Sequence, residues 1–279
     1  MFQEKIWQND HLKVVGSSQA GTGTCFYLPQ YGCCFDLGHG YPYAYSAKTY
    51  FLTHAHMDHA GGIAYVISQR ALNKMNIGRF YMPEYMIEPL SQILQLWSKL
   101  EGHTYDFEFL PLAPGDTIEV KKNIFVRPIE AYHRVPAQGY CVYERKKKLK
   151  NEYIGLPGNK IGELKSQGIP IENVSEEPVF CFSGDTKSEF LTTHADVSRA
   201  RVLLTEVTYL DEKRDVQNCR QWGHLHLDEL IDQLDYLKNE VILLTHVSRK
   251  YSPVEIRKII EKKIPAHQKH RVFYFDSNS

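Results

Sequence analysis

Within six residues the chain offers four groups that bind divalent metals, His54, His56, Asp58 and His59, in the run His54-Ala55-His56-Met57-Asp58-His59. Imidazole and carboxylate are ligands that zinc favours while keeping one position open for water. The run leaves an apolar strand end, Tyr50-Phe51-Leu52-Thr53, so the alternate histidines can aim both imidazoles at one point. Asp58 and His59, at the start of the helix that follows, can serve a second point nearby. Gly61 and Gly62 come next and, having no side chains, would let that helix start sit close to the metals. A polar loop with three unrelated histidines is the bland alternative. Four ligand types in six residues between a strand and a helix speak against it.

The elements that must position these groups follow from periodicity. Short β-rich runs cover 12–15, 25–28, 33–37 and 49–53, and a helix follows the histidine run over 59–72. A strand at 79–82 precedes a helix over 84–100, whose Ile87, Leu90, Ile93, Leu94 and Trp97 recur at helical spacing. Strands follow at 107–110, 117–120, 124–131 and 139–144. The stretch 145–177 is rich in Lys and Gly with weak periodicity, and reads as an excursion from the core. Strands at 179–183, 201–207, 241–245 and 271–275 then alternate with helices at 227–237 and 253–263. Strands first and α/β alternation later predict an α/β fold, two sheets packed face to face and covered by helices. No repeat, low-complexity tract or linker divides the chain, so the expectation is one domain over 1–279.

Composition narrows the function. Hydrophobic residues make up 43% and charged residues 24% of the 279, and 33 basic residues balance 33 acidic ones, so nucleic-acid binding must rest on local patches. No stretch approaches the ~18 apolar residues of a membrane span. The first ten residues lack a signal-peptide pattern, and the six cysteines include no C-x-x-C pair, which reads as free thiols in a soluble intracellular, cytoplasmic protein.

The histidine run resembles the H-x-H-x-D-H signature of the metallo-β-lactamase superfamily. The resemblance implies an αββα sandwich of two mixed sheets flanked by helices, with two Zn²⁺ per chain, replaceable by Mn²⁺ or Fe²⁺. It also implies three further ligands at later strand ends: His133, Asp185 in Phe182-Ser183-Gly184-Asp185-Thr186, and His246 in Leu243-Leu244-Thr245-His246. On that pattern one zinc takes His54, His56 and His133, the other takes Asp58, His59 and His246, and Asp185 bridges. Asp36, in Phe35-Asp36-Leu37-Gly38, matches an early family motif with a structural role. Paired metals about 3.5–4 Å apart clamp both oxygens of a displacement and lower the pKa of bound water to ~7.

Later motifs resemble ribonuclease Z, the transfer-RNA 3′-processing endonuclease, in its short, plant-like form: Leu203-Leu204-Thr205-Glu206-Val207-Thr208, Gly223-His224-Leu225-His226, Thr245-His246-Val247-Ser248-Arg249-Lys250-Tyr251 and His133–Tyr140. The resemblance runs from Asp36 to Tyr251. It implies precursor tRNA as substrate, a homodimer, and catalytic roles for Asp58, Glu206 and His224. A Glu206–His224 pair makes sense beside a phosphodiester, because the departing ribose 3′-oxygen needs a proton and a carboxylate keeps an imidazole protonated. Alternatively His224 caps the next helix and Glu206 packs at a strand end. Ser248 and Lys250 are candidate phosphate contacts, although Lys250 stands where the family has Arg and loses the bidentate fork. The basic run Arg145-Lys146-Lys147-Lys148 falls where the family inserts its RNA-binding arm, so Lys146, Lys147 and Lys148 are candidates for phosphate neutralisation, or else a solvated face. Tyr41, Tyr43 and Tyr45 could stack bases, or simply pack their own loop. Two other functions compete: a phosphodiesterase for small or cyclic nucleotides on the same metal site, and a non-catalytic RNA-binding protein, which would have no need of seven ligands.

Overall fold

The computed structural model describes residues 4–276. Among these residues fourteen strands form two seven-stranded sheets, each laid out in chain order. The first holds β1 (Lys5–Gln8), β2 (Lys13–Gln19), β3 (Gly23–Leu28), β4 (Cys33–Phe35), β5 (Thr49–Phe51), β6 (Arg79–Met82) and β7 (Glu108–Pro111). The second holds β8 (Ile118–Lys121), β9 (Ile124–Ala131), β10 (Ala137–Leu149), β11 (Glu172–Phe182), β12 (Val202–Glu206), β13 (Val241–Thr245) and β14 (Val272–Tyr274). Pairing is antiparallel from β1 to β4 and parallel from β4 to β7. In the second sheet it is antiparallel from β8 to β11 and parallel from β11 to β14. Helices α1 (Met57–Ala60), α2 (Ile63–Leu72) and α3 (Ile87–Glu101) follow strands of the first sheet. The other helices are α4 (Gly158–Ser166), α5 (Phe190–Thr193), α6 (Ala195–Arg199), α7 (Val216–Gln221), α8 (Leu227–Gln233) and α9 (Pro253–Lys263).

Strand alternation explains the layers. Parallel strands buried on both faces read as continuous apolar runs, and successive side chains go to opposite sides. Phe51, Leu204 and Leu243 point into the space between the sheets, where Phe26, Phe35, Tyr140, Phe180 and Phe182 also meet. Their neighbours face outward. Tyr50 packs with Ile63, Val66 and Leu94 beneath α2 and α3, whereas Leu203, Ile242 and Leu244 pack with Leu227, Leu230, Ile256 and Ile260 beneath α8 and α9. Aromatic pairs such as Phe35–Phe51 and Phe35–Phe180, each 5.5 Å between centroids, add about 0.5–1.5 kcal/mol apiece beyond their buried area. The result is the expected helix–sheet–sheet–helix sandwich.

Three expectations need correction. The helix expected over 59–72 is two helices broken at Gly61-Gly62. Gly62 serves a different close approach: a Cβ there would lie 2.2 Å from the Gly40 backbone nitrogen, so position 62 is where α2 meets the loop after β4. The helix after β6 buries only Leu94 fully and leaves Ile93 and Trp97 half exposed, so its apolar stripe is not all core. The strands expected at 139–144 and 179–183 run on into the 145–177 excursion. Strands β10 and β11 stay paired out to Leu149↔Glu172, past the end of β9 pairing at Glu144, and α4 sits at the tip. A ribbon wet on both faces has no apolar alternation to reveal it.

Candidate metal centre

Strands β9, β11, β12 and β13 all end at one edge of their sheet, and β5 ends opposite them in the other. That topology collects the predicted residues. Ligand atoms of His54, His56, His133 and Asp185 lie within 4.8 Å of one another, and so do those of Asp58, His59 and His246. Asp185 stands between the two sets. Its Oδ2 is 3.8 Å from His54 Nε2 and 3.9 Å from His133 Nε2. Its Oδ1 is 3.1 Å from His59 Nε2 and 3.3 Å from His246 Nε2. His133 Nε2 is 3.2 Å from His56 Nδ1, and His246 Nε2 is 3.5 Å from Asp58 Oδ2.

Four of the imidazoles are held by their other nitrogen, as metal-ligating histidines are. His54 Nδ1 meets Thr53 Oγ1 at 2.9 Å, His59 Nδ1 meets Asp36 Oδ2 at 2.7 Å, His133 Nδ1 donates to the Gly223 carbonyl at 2.7 Å, and His246 Nδ1 meets Thr208 Oγ1 at 3.1 Å. Asp36 also accepts from the Thr53 amide at 2.8 Å and is fully buried in the left-handed region at φ 53, which matches the structural role expected of it. The Gly21 amide, from the β2–β3 turn, donates to Asp58 Oδ2 at 2.8 Å.

Burial pushes His54 well below the usual imidazole pKa, and it lowers His56 and His133 as well. Burial would also lower His59, but the Asp185 and Asp36 charges hold it well above. Asp185 and Asp58 would rise on burial alone. The charges of His246 and His59 keep Asp185 well below the carboxylate range; for Asp58 the hydrogen bond to His246 and the His59 charge do the same. His54 Nε2 and Asp185 Oδ1 are buried with no hydrogen-bond partner among the described residues. Unsatisfied groups so deep in a protein are costly, and cations at the centres of the two sets would satisfy both.

Glu206 ends β12 beside this cluster. Its Oε1 accepts from the Thr186 amide at 2.6 Å and lies 3.0 Å from His224 Nδ1. Its Oε2 accepts from Thr208 Oγ1 at 2.6 Å and from the Leu225 amide at 3.3 Å. Although burial opposes it, the Glu206 charge and hydrogen bond push the His224 pKa up to about 9. The cap of α8 is His226, whose Nδ1 accepts from the Asp228 amide, so His224 is free of that duty. Thr53, Thr208 and Gly223 escaped the sequence reading. For Thr208 the signal was present, since it lies two residues beyond Glu206 in the same strand-end motif.

The remaining candidates lie apart. Ser248 is half buried on the loop after β13, its Oγ 3.4 Å from the Lys250 amide, and Lys250 is exposed. On the arm, Lys146 Nζ is 2.6 Å from Glu177 and Arg145 is 2.7 Å from Glu176, whereas Lys147 and Lys148 are exposed. Tyr41 stacks on Tyr43, whose hydroxyl donates to the Cys25 carbonyl, and Tyr45 donates to the Gly40 carbonyl, so these rings pack their own loop.

Residues 46–247 match the beta-lactamase superfamily domain. A tRNase Z of Arabidopsis thaliana is 34% identical over 275 residues, 98% of each chain. A chloroplastic tRNase Z of the same plant is 34% identical over 251 residues, 89% of this chain and 71% of its own. Among solved structures, the short form of human tRNase Z superposes with a TM-score of 0.58 at 17% identity, over 84% of this chain and 92% of its own. A metallo-beta-lactamase fold protein of Bacillus subtilis gives 0.57 at 14%, over 95% and 89%. These two superpositions establish the fold, and the plant relatives establish the family. The chain belongs to the tRNase Z family of the beta-lactamase superfamily.

Proposed function

We propose that this chain is a two-zinc endoribonuclease that removes the 3′ trailer of precursor tRNA and leaves a 3′-hydroxyl on the tRNA. The observation that carries the reading is the Asp185 carboxylate, one oxygen toward each histidine set, with the Glu206–His224 pair against the same edge. Relatives that span nearly the whole chain carry the tRNase Z name. In this reading His54, His56 and His133 hold one ion, Asp58, His59 and His246 the other, and Asp185 contributes to both. When bound, the ions supply water activation at neutral pH and neutralise charge on the phosphodiester. Asp58 orients the attacking water and accepts its proton. Glu206 keeps His224 protonated, and His224 gives that proton to the leaving 3′-oxygen.

Ser248 and Lys250 hold phosphate oxygens near the cut. Because Glu177 compensates Lys146, phosphate contacts on the arm fall to Lys147 and Lys148. We assign self-association to the apolar groove between α2 and α3, where Met57, Tyr65, Ile93 and Trp97 stand exposed. All six cysteines are buried free thiols, which fits a reducing intracellular compartment. No helix among the described residues is long and apolar enough to cross a membrane.

The test is cleavage of an end-labelled precursor tRNA by zinc-loaded protein, with Asp58→Ala beside it. One cut after the last mature nucleotide, absent in the variant, supports the assignment. No cut by either protein, with two metals confirmed per chain, would move the reading to small phosphodiesters.

A further inference from the structure

The loop that carries His224 also carries an exposed indole that the mechanism does not use. Trp222 is 48% exposed, and the Arg134 guanidinium lies 4.7 Å from its ring centroid. Neither residue is placed by chance packing. Gly223 has φ 80, and a Cβ there would come within 2.8 Å of His133 Nδ1 and 2.9 Å of the Arg134 amide nitrogen. The segment 222–224 is therefore pressed against 133–134 and held by the His133–Gly223 hydrogen bond of 2.7 Å. Two side-chain pairs result. His133 and His224, 5.1 Å between ring centroids, face the candidate metal centre. Arg134 and Trp222 form the next pair outward. Two virtual bonds of ~3.8 Å put the Trp222 Cα no more than about 7.6 Å from that of His224. Arg134 is exposed and its guanidinium rests on the Trp222 ring, so its charge is available to a phosphate.

We propose that Trp222 and Arg134 form the subsite for the nucleotide that keeps the 3′-hydroxyl, the last of the mature tRNA. The inference rests on the tRNA-processing reading. If His224 protonates that nucleotide's 3′-oxygen, the residues one step outward from His224 stand beside its ribose and base. The open part of the indole stacks the base, and Arg134 contacts the flanking phosphate. Stacking tolerates any base and favours the larger purine faces.

The experiment compares wild-type, Trp222→Ala, Trp222→Phe and Arg134→Gln zinc-loaded enzymes. Steady-state kinetics are run on four precursor tRNAs differing only in that nucleotide, and on bis(4-nitrophenyl) phosphate. Trp222→Ala is expected to raise KM for the precursors about tenfold, more for purines than pyrimidines, with the small diester changed less than twofold. Trp222→Phe should recover most of the loss, and Arg134→Gln should steepen neither base preference nor small-diester KM while weakening the precursors. A Trp222→Ala enzyme with KM within twofold of wild type on all four precursors overturns the inference, as does an equal loss on precursors and small diester. Wild-type enzyme that hydrolyses the small diester but cuts no precursor sinks the tRNA reading itself.

Discussion

Replacing Glu206 by Gln keeps the shape of the side chain and removes its charge. The carboxylate is 1% exposed and has four donors around it, from Thr186, Thr208, Leu225 and His224. An amide can accept from only one side, so at least one donor faces an NH₂ group. The larger effect falls on His224, whose pKa of about 9 exceeds the ordinary 6.5 because of the Glu206 charge. Losing that support returns it to about 6.5 or below, a shift of about 2.5 units or about 3.4 kcal/mol. At pH 8 the protonated fraction falls from about 0.9 to about 0.03, so turnover drops about 30-fold; at pH 6 it drops less than about twofold. Bound metal lowers both limbs together, so the tested quantity is the displacement between them. The assay is kcat against pH on precursor tRNA from pH 5.5 to 9.5, with metal content measured alongside. The linkage sign agrees: a raised imidazole pKa stabilises the fold fully below 6.5, and that stability fades as pH rises through about 9. Glu206→Gln should lose this slope. A uniform fall in kcat with the alkaline limb unmoved would refute the claim that the carboxylate works by holding the His224 proton.

Three further outcomes follow from the geometry. Asp36→Asn leaves one acceptor oxygen where two serve the Thr53 amide and His59 Nδ1, so the oxygen that takes the Thr53 amide leaves an NH₂ against His59 Nδ1, and metal binding should weaken about 10–100-fold in a chelator competition. Gly62→Ala puts a Cβ against the Gly40 backbone at 2.2 Å and should destabilise the fold by about 1–3 kcal/mol in denaturant titration, since backbone on both sides cannot yield. Stripping metal with EDTA should lower the Tm by about 5–10 °C, because a ligand held at 100 times its Kd stabilises by about 2.7 kcal/mol. An unchanged Tm would count against metal holding Asp185 and His54.

The first ligand run was legible because its residues are contiguous. A strand end with alternating histidines and a helix start with Asp-His is a local pattern, and local geometry alone aims those groups. His133, Asp185, Glu206 and His246 were singled out by the family resemblance of their motifs, and the fold explains why they converge. Each ends an apolar strand, and parallel strands must finish at a common edge. Boundaries were harder to read. The arm's strands carry charge on both faces, so no buried face imposed a period of two. The run at 145–148 looked like free positive charge, and the cross-strand partners Glu176 and Glu177, some thirty residues on, compensate half of it.

Residue types and spacing pointed to the first metal-ligand run and to two sheets covered by helices, whereas the later ligands and the Glu206–His224 pair came from the family resemblance of their motifs. Only the tertiary structure decided which oxygen of Asp185 faces which histidine set, that Asp36, Thr53 and Thr208 orient the imidazoles, that His226 caps α8 so His224 need not, and that Trp222 lies against Arg134. The His226 cap and the Thr53–His54 bond are local, and the others share one physical reason. Hydrogen bonds and ring contacts act over about 3–5 Å between segments far apart in the chain, so they exist only once the two sheets have packed.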